Sequence, residues 1–98
     1  MTKPIIPKRR AVTEKNNFVE IVAWKVPKSK SYPEGIKYSF TFIYKSKRAI
    51  AFDNFNNEGH HKHFLKKKEP FEFKSLEDTA NHFFALVDEF EKNLGEEK

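Results

Sequence analysis

The segment 36–45 alternates aromatic and polar side chains more regularly than any other part of this chain. A repeat of two residues is typical of a β-strand with one buried and one exposed face. The aromatic positions are Tyr38, Phe40, Phe42 and Tyr44, and the polar ones are Lys37, Ser39, Thr41 and Lys45, with Ile43 as the exception. The pattern therefore predicts a sheet with an aromatic face that must be covered and a polar face that can stay open.

A C-terminal helix is the natural cover for that aromatic face. Ser75 is placed to cap the helix, and Glu77 and Asp78 complement the positive end of its dipole. Gly95 is typical of the position just after a helix. One helix is therefore expected between Ser75 and Gly95. Its apolar face follows spacings of three and four, at Leu76, Ala80, Phe83, Val87, Phe90 and Leu94.

Three further segments have the composition of strands. Residues 18–26 are rich in β-branched and aromatic side chains, 49–52 follow a short turn, and 71–74 alternate after Pro70. Strands joined by a short connection run antiparallel. The sequence thus predicts an α+β fold in the order β-β-β-β-α: a small antiparallel sheet of three to four strands, covered on one face by the C-terminal amphipathic helix.

The length of 98 residues allows one domain. Residues 1–15 combine prolines with basic side chains and predict a flexible N-terminal arm. Residues 16–95 form the single α+β domain, and 96–98 a disordered tail. The chain has no cysteine, which excludes thiolate metal sites and cysteine nucleophiles. Together with the lack of a long apolar run or a secretory signal, this predicts a cytoplasmic protein that does not bind membranes.

Charge is distributed unevenly along the chain. Residues 1–68 hold 16 Lys and Arg against 5 Asp and Glu, a net +11, whereas residues 69–98 hold 3 against 9, a net −6. A basic surface attracts phosphate polyanions such as RNA. The simpler alternative is that the lysines only keep a small domain in solution.

Three of the four histidines lie within four positions, in a segment (53–63) that is otherwise rich in Asp and Asn. If this segment is extended, His61 and His63 share one side and His60 and Lys62 share the other. We expect it to be a loop between two strands, and loops held on a rigid scaffold often carry functional sites. Three interpretations remain open.

The first interpretation is acid–base cleavage of RNA, which needs a base for the 2′-hydroxyl and an acid for the leaving 5′-oxygen. Histidine suits both proton transfers near neutral pH. Asp53 would orient one histidine, and the phosphate charge would be stabilised by Lys62, Lys66 or Arg48.

The second interpretation is a metal site, because His61, His63 and Asp53 offer ligands suited to zinc or manganese. The flanking lysines disfavour a dication there. The third is a polar loop in which histidines cluster by chance.

Several strings of this sequence resemble the TumE family, small toxins of type II toxin–antitoxin pairs in bacteria and archaea. The resemblance extends over about residues 18–90 and rests on VEIVAWKVP (19–27), KYSF (37–40), FDN (52–54), GHHKH (59–63), PFEF (70–73) and SLE (75–77). The family pattern has Tyr-Asp-Asn and Gly-Asp-His-Arg-His at the third and fourth strings. Here Lys62 replaces the arginine and loses its bidentate grip on phosphate. His60 replaces the acidic residue, which weakens the metal interpretation further.

The resemblance implies a toxin with a cognate antitoxin, typically one with a DNA-binding helix-turn-helix. Many small basic toxins cut RNA, so the function expected by analogy is a metal-independent endoribonuclease without a cofactor. The expected catalytic residues are His61, His63 and Asp53, and the expected substrate-binding residues are Arg48, Asn54, Lys62, Lys66 and Lys67. The alternative is a non-catalytic basic module that binds RNA, the ribosome or a partner protein through the open sheet face, and a homodimer is compatible with either.

Overall fold

The computed structural model describes residues 3–54 and 59–96, which form six strands followed by one helix. All six strands belong to one antiparallel sheet, and each strand pairs with the next one along the chain. The elements are β1 (Lys3–Val12), β2 (Phe18–Lys25), β3 (Ile36–Tyr44), β4 (Lys47–Asp53), β5 (His61–Phe64), β6 (Lys67–Pro70) and α1 (Leu76–Glu96).

The predicted sheet of three to four strands is wrong, because the sheet has six. Strands β2, β3 and β4 lie where the apolar and aromatic patterns predicted strands. Residues 71–74, the predicted fourth strand, lie outside the sheet and lead from β6 into α1. Strands β5 and β6 instead form a hairpin from the histidine- and lysine-rich segment. This hairpin is held by backbone hydrogen bonds to the edge of β4. Because such bonds do not depend on the side chains, the sequence of the hairpin shows no apolar alternation.

The N-terminal segment also differs from the predicted flexible arm. Residues 3–12 form β1 and pair with β2, for example Arg10 opposite Glu20 and Val12 opposite Phe18. The register is irregular between Pro4 and Arg9, which suits an edge strand that contains prolines. Pairing with β2 thus supplies the ordering interactions that the composition of this segment lacks.

The helix packs on the aromatic face of the sheet. Phe40, Phe42 and Phe52 are fully buried, and the ring of Phe83 on α1 lies 5.8 Å from that of Phe40. The Ser75 hydroxyl accepts a hydrogen bond of 2.9 Å from the backbone N–H of Asp78, which confirms the predicted N-cap. Helix α1 includes Gly95, which was expected to follow the helix, and Glu96, the first residue of the predicted tail. Residues 97–98 of that tail lie outside the described residues.

Among the described residues, no helix is long and apolar enough to cross a membrane. The face of the sheet opposite α1 carries no covering element in the described part of the chain, and we call it the open face. The candidate site lies there.

Candidate functional site

The pairing of β3, β4 and β5 places Asp53, His61 and His63 on the open face. Phe52 is buried against α1, so its neighbours on β4 point to the opposite side of the sheet. Asp53 lies opposite His61 of β5, and Ala51 lies opposite His63. The expected shared side of the two histidines is therefore present, but on a strand rather than in a loop.

Asp53 and His61 form a close, nearly buried pair. The Nε2 atom of His61 lies 2.7 Å from Oδ1 of Asp53, and the two side chains are 7% and 13% exposed. The Nδ1 atom of His61 lies 3.1 Å from the carbonyl oxygen of Gly59. A carboxylate and a carbonyl are both acceptors only. Both ring nitrogens of His61 therefore face oxygen acceptors.

His63 lies beside this pair in a different electrostatic environment. Its ring centre is 5.1 Å from that of His61, with the two rings nearly perpendicular. Partial burial lowers the pKa of His63 below its usual value, and the charge of Arg48 lowers it further; His61 and Lys68 act in the same direction, while Asp53 opposes them. His63 is therefore neutral near pH 7. A neutral histidine next to a second histidine that is held by a carboxylate is an arrangement suited to acid–base chemistry.

Arg48 reaches this cluster because β4 contains an irregularity. Phe42 pairs with Ile50, but the next residue of β3, Ile43, pairs with Arg48. The skipped residue changes which side of the sheet the following side chains occupy. Arg48 consequently shares the open face with Asp53, although an odd separation in a regular strand would put the two on opposite faces. The predicted phosphate-binding role of Arg48 is compatible with this position.

Lys68 is the cluster residue that the sequence prediction omitted. It lies directly opposite His63 in the β5–β6 hairpin, and its charge contributes to the lowered pKa of His63. The run of three lysines after the histidines was visible, and a tight hairpin at Leu65 would have placed Lys68 on the face of His63. No signal in the sequence indicated that hairpin.

Three of the predicted phosphate-binding lysines are not in the cluster. Lys62 lies opposite the buried Phe52, on the helix side of the sheet, with its Nζ 3.8 Å from Oε1 of Glu69. Lys67 lies opposite Phe64, and Lys66 lies in the β5–β6 turn. These positions separate the three lysines from the Asp53–His61–His63 cluster. Side chains alternate between the two faces of β5, so Lys62 lies on the face opposite to that of His61 and His63.

Asn54, another predicted substrate-binding residue, is buried and fully engaged with the backbone. Its Oδ1 accepts a hydrogen bond of 3.1 Å from the N–H of Tyr38, and its Nδ2 donates one of 2.7 Å to the carbonyl of Ile36. It is 1% exposed. Asn54 therefore joins the end of β4 to the start of β3.

His60 belongs to a separate hydrogen-bonded chain. Its Nδ1 lies 2.9 Å from the hydroxyl of Tyr38 and its Nε2 lies 3.0 Å from Oε1 of Glu34. Burial raises the pKa of Tyr38, and the carboxylates of Asp53 and Glu34 raise it further, so the hydroxyl beside His60 stays protonated. The His60 ring also stacks on Phe73 at 4.2 Å. These contacts fasten the segment after β6 to the sheet.

The cluster contains a possible set of metal ligands. One ligand atom each from Asp53, His61 and His63 lies within 4.8 Å of the others. A dication would have to displace the Nε2 hydrogen of His61 and would be repelled by Arg48 and Lys68. The charges around the cluster favour an anion such as phosphate instead.

The fold and the cluster define a small α+β protein with paired histidines on the open face of an antiparallel sheet. The family model described as Toxin TumE matches residues 3–91, which include all six strands and most of α1. The chain belongs to the TumE toxin family. No curated protein and no solved structure matches it.

Proposed function

We propose that this chain is the toxin of a type II toxin–antitoxin pair and acts as a metal-independent endoribonuclease. Membership of the TumE toxin family supports the toxin role. The observation that carries the proposed activity is the pair of histidines whose rings lie 5.1 Å apart beside Arg48 and Lys68: the pKa of His63 is lowered, and His61 lies against the carboxylate of Asp53.

In the proposed reaction, His63 is the general base. Its neutral ring takes the proton of a ribose 2′-hydroxyl, and the resulting oxygen attacks the adjacent phosphorus. The bond from phosphorus to the 5′-oxygen breaks, and His61 donates a proton to that oxygen. The products are a 2′,3′-cyclic phosphate and a 5′-hydroxyl, so neither water nor an oxidant nor a metal is consumed.

The surroundings of His61 suit the role of the acid. Nε2 of His61 lies 2.7 Å from Oδ1 of Asp53 in a nearly buried contact, whereas Nδ1 lies 3.1 Å from the carbonyl oxygen of the exposed Gly59. The second contact is the longer one, so in this proposal the leaving oxygen takes the Nδ1 proton. Asp53 is then a positioning residue, and Arg48 and Lys68 offset the negative charge that develops on the phosphate.

A non-catalytic binding module is the second candidate, and one observation favours it. On the open face, Nζ of Lys37 lies 5.9 Å from the ring centres of both Trp24 and Tyr32. Aromatic and basic side chains together are typical of surfaces that bind single-stranded nucleic acids. In this case Lys37→Glu would abolish the biological effect and His63→Ala would not.

The decisive experiment compares the wild-type chain with His63→Ala, using His82→Ala as the matched control. His82 is an exposed histidine on α1, on the other side of the sheet. We expect wild type and His82→Ala to arrest growth of a host and to cleave RNA into 2′,3′-cyclic phosphate ends. His63→Ala should lose cleavage by about 10²-fold or more, the usual contribution of a general base, and cleavage by wild type should persist in EDTA.

Each other outcome corrects a specific part of the proposal. Growth arrest by both wild type and His63→Ala would retain the toxin and reject the site. Loss of cleavage in EDTA would reject metal independence and favour the three-ligand site. Absence of cleavage by folded wild type would leave the binding module. Co-expression of the proposed antitoxin, expected to carry a helix-turn-helix, should restore growth.

A further inference from the structure

A large cavity lies at the end of the sheet where the β3–β4 and β5–β6 turns are side by side. It has a volume of about 920 Å³, toward the upper end of the roughly 300–1,000 Å³ range that ligand sites occupy. Its apolar part includes Tyr44, Ala49, Phe64 and Leu65. None of the cluster residues Asp53, His61 and His63 contributes to its wall, so the cavity is distinct from the acid–base cluster.

The rim of the cavity is strongly basic. Five basic side chains line it, namely Lys45, Lys47, Arg48, Lys66 and Lys67. Among the described residues, no acidic side chain lines it. Such a rim attracts an anion, while the apolar part excludes a simple inorganic ion as the complete ligand. The ligand that fits both features has a flat or apolar body and carries negative charge.

Leu65 is the least expected residue in this wall. It lies in the β5–β6 turn with a φ of +57°, in the left-handed region that leucine seldom adopts, and is 58% exposed. A turn of this kind normally has Gly or Asn at such a position. A leucine there places an apolar side chain at the mouth of a basic cavity, where a ligand can cover it.

Arg48 connects the cavity to the acid–base cluster. It lines the cavity, and it is close enough to His63 for its charge to lower the pKa of that histidine. Arg48 is thus shared by the cavity and the cluster, so a polymer with one unit in the cavity can extend past Arg48 toward His63. An acidic peptide would also be attracted by the basic rim, but its binding would not explain why the cavity and the acid–base cluster share Arg48.

We propose that the cavity binds one nucleotide of single-stranded RNA adjacent to the scissile phosphate, with the base against Phe64 and Leu65 and the phosphates near Lys47 and Lys66. The inference rests on the proposed endoribonuclease function and names its substrate as single-stranded RNA. Apolar and aromatic contact with the base together with a basic rim is the usual way in which proteins hold single strands.

The test measures binding of a fluorescent 2′-O-methyl oligoribonucleotide, which has no 2′-hydroxyl nucleophile and so cannot be cleaved. The cavity variants are Leu65→Gly, which removes the side chain and suits the positive φ, and the exposed double change Lys47→Glu/Lys66→Glu. The matched control is Lys28→Glu/Lys30→Glu, which has the same charge change in the β2–β3 connection at the opposite end of β3.

We expect each cavity variant to weaken binding about tenfold, within the range that loss of base stacking or of phosphate contacts causes. The control should change it by less than about threefold, as expected for a site outside the contact surface. Equal binding by the cavity variants and the control would overturn the proposal. It would also be overturned if the cavity variants bound RNA normally but lost capture of the co-expressed antitoxin, because the occupant would then be a protein.

Cleavage of unmodified RNA separates this proposal from the function on which it rests. If wild type binds the oligonucleotide through the cavity but cleaves no RNA, the endoribonuclease fails and the nucleotide site stands. If wild type cleaves RNA and the cavity variants show an unchanged KM, the nucleotide site fails and the endoribonuclease stands.

Discussion

His61 and His63 are two residues apart on one strand, yet their side chains have different surroundings. His61 faces two acceptors, the carboxylate of Asp53 and the carbonyl of Gly59. His63 faces positive neighbours, chiefly Arg48, and is partly buried. The same side chain can thus serve as acid at one position and as base at the next, without any difference in residue type.

This arrangement predicts the acid side of the pH profile for RNA cleavage. Cleavage needs neutral His63, so kcat/KM should fall only as the pH drops through the lowered pKa of that histidine, below its ordinary value of about 6.5. Arg48→Ala removes a cause of the lowering, so the fall should begin at higher pH. Asp53→Asn removes the opposing carboxylate, so the fall should begin at lower pH.

The measurement is the pH dependence of kcat/KM for a defined RNA substrate, with Lys30→Ala as the control that leaves the profile unchanged. Shifts of Arg48→Ala and Asp53→Asn in the same direction would show that His63 is not the titrating base. The effect on folding has the matching sign. Because the folded state lowers the pKa of His63, its contribution to stability should be present above the ordinary pKa and lost as the pH falls through the lowered one.

The alternation in the sequence was sufficient to predict that His61 and His63 lie on the same face, but not which other side chains contact them. Asp53 was expected to orient a histidine, and it is His61 that it contacts. Lys62, by contrast, follows the alternation to the helix side, where it meets Glu69. Asn54 was expected to bind substrate, whereas its side-chain amide forms hydrogen bonds with the backbone of β3.

At the scale of elements, α1 is tied to the β1–β2 turn as well as packed on the sheet. Glu91 is 8% exposed, although it lies in a helix whose other acidic side chains, such as Asp88 and Glu89, are exposed. Its Oε2 accepts hydrogen bonds from the Thr13 hydroxyl and from Nδ2 of Asn17, the latter at 2.7 Å. These hydrogen bonds connect the β1–β2 turn to the C-terminal helix α1.

We therefore predict that Glu91→Ala lowers the free energy of unfolding by about 1–3 kcal/mol, because two partly buried polar groups lose a charged acceptor. The measurement is urea denaturation followed by circular dichroism. Glu89→Ala, an exposed neighbour on the same helix, is the control and should change stability by less than about 0.5 kcal/mol. Equal effects of the two substitutions would contradict a structural role for the Glu91 contacts.

The hairpin of β5 and β6 is the element that most changes the interpretation of the site. Its four-residue strands are too short and too polar to show a strand pattern in the sequence. The backbone pairing of β5 with β4 provides the stabilising interactions that these polar side chains do not. Through that pairing the expected loop becomes an extended strand. The register then places Lys68 beside His63 and leaves Lys66 in the turn.

Across the whole molecule, the uneven charge of the sequence has a spatial counterpart. The basic part of the chain, residues 1–68, forms nearly all of the sheet, and the acidic part, 69–98, includes α1 on the side away from the cluster. Arg48 and Lys68, the basic residues beside the cluster, thus lie on the side of the sheet away from the acidic helix, whereas Lys62 lies on the helix side. An RNA strand can approach the cluster without meeting the acidic residues of the helix.

This separation predicts a clear salt dependence of RNA binding. If Arg48, Lys68 and the basic side chains of the cavity neutralise about three or four phosphates, the logarithm of affinity should fall with the logarithm of salt at a slope of about −2 to −3. Lys68→Ala should reduce the steepness by about 0.7, the share of one phosphate on a single strand.

The slope is measured with the 2′-O-methyl oligonucleotide between low and physiological salt. Lys92→Ala, an equal loss of charge on exposed α1, should leave the slope unchanged. A slope near zero, or equal effects of the two substitutions, would show that RNA binds neither to the open face nor to the cavity at the end of the sheet.

By itself, the sequence determines the strands β2, β3 and β4, the amphipathic helix with its Ser75 cap, and the shared side of His61 and His63. All of these follow from local periodicity, which depends only on neighbouring residues. Tertiary structure decided the six-stranded sheet, the ion pair of Asp53 with His61, and the placement of Arg48 and Lys68 beside His63. These depend on the register between strands, which is set by backbone hydrogen bonds and by one irregularity in β4, and neither leaves a mark in the order of side chains.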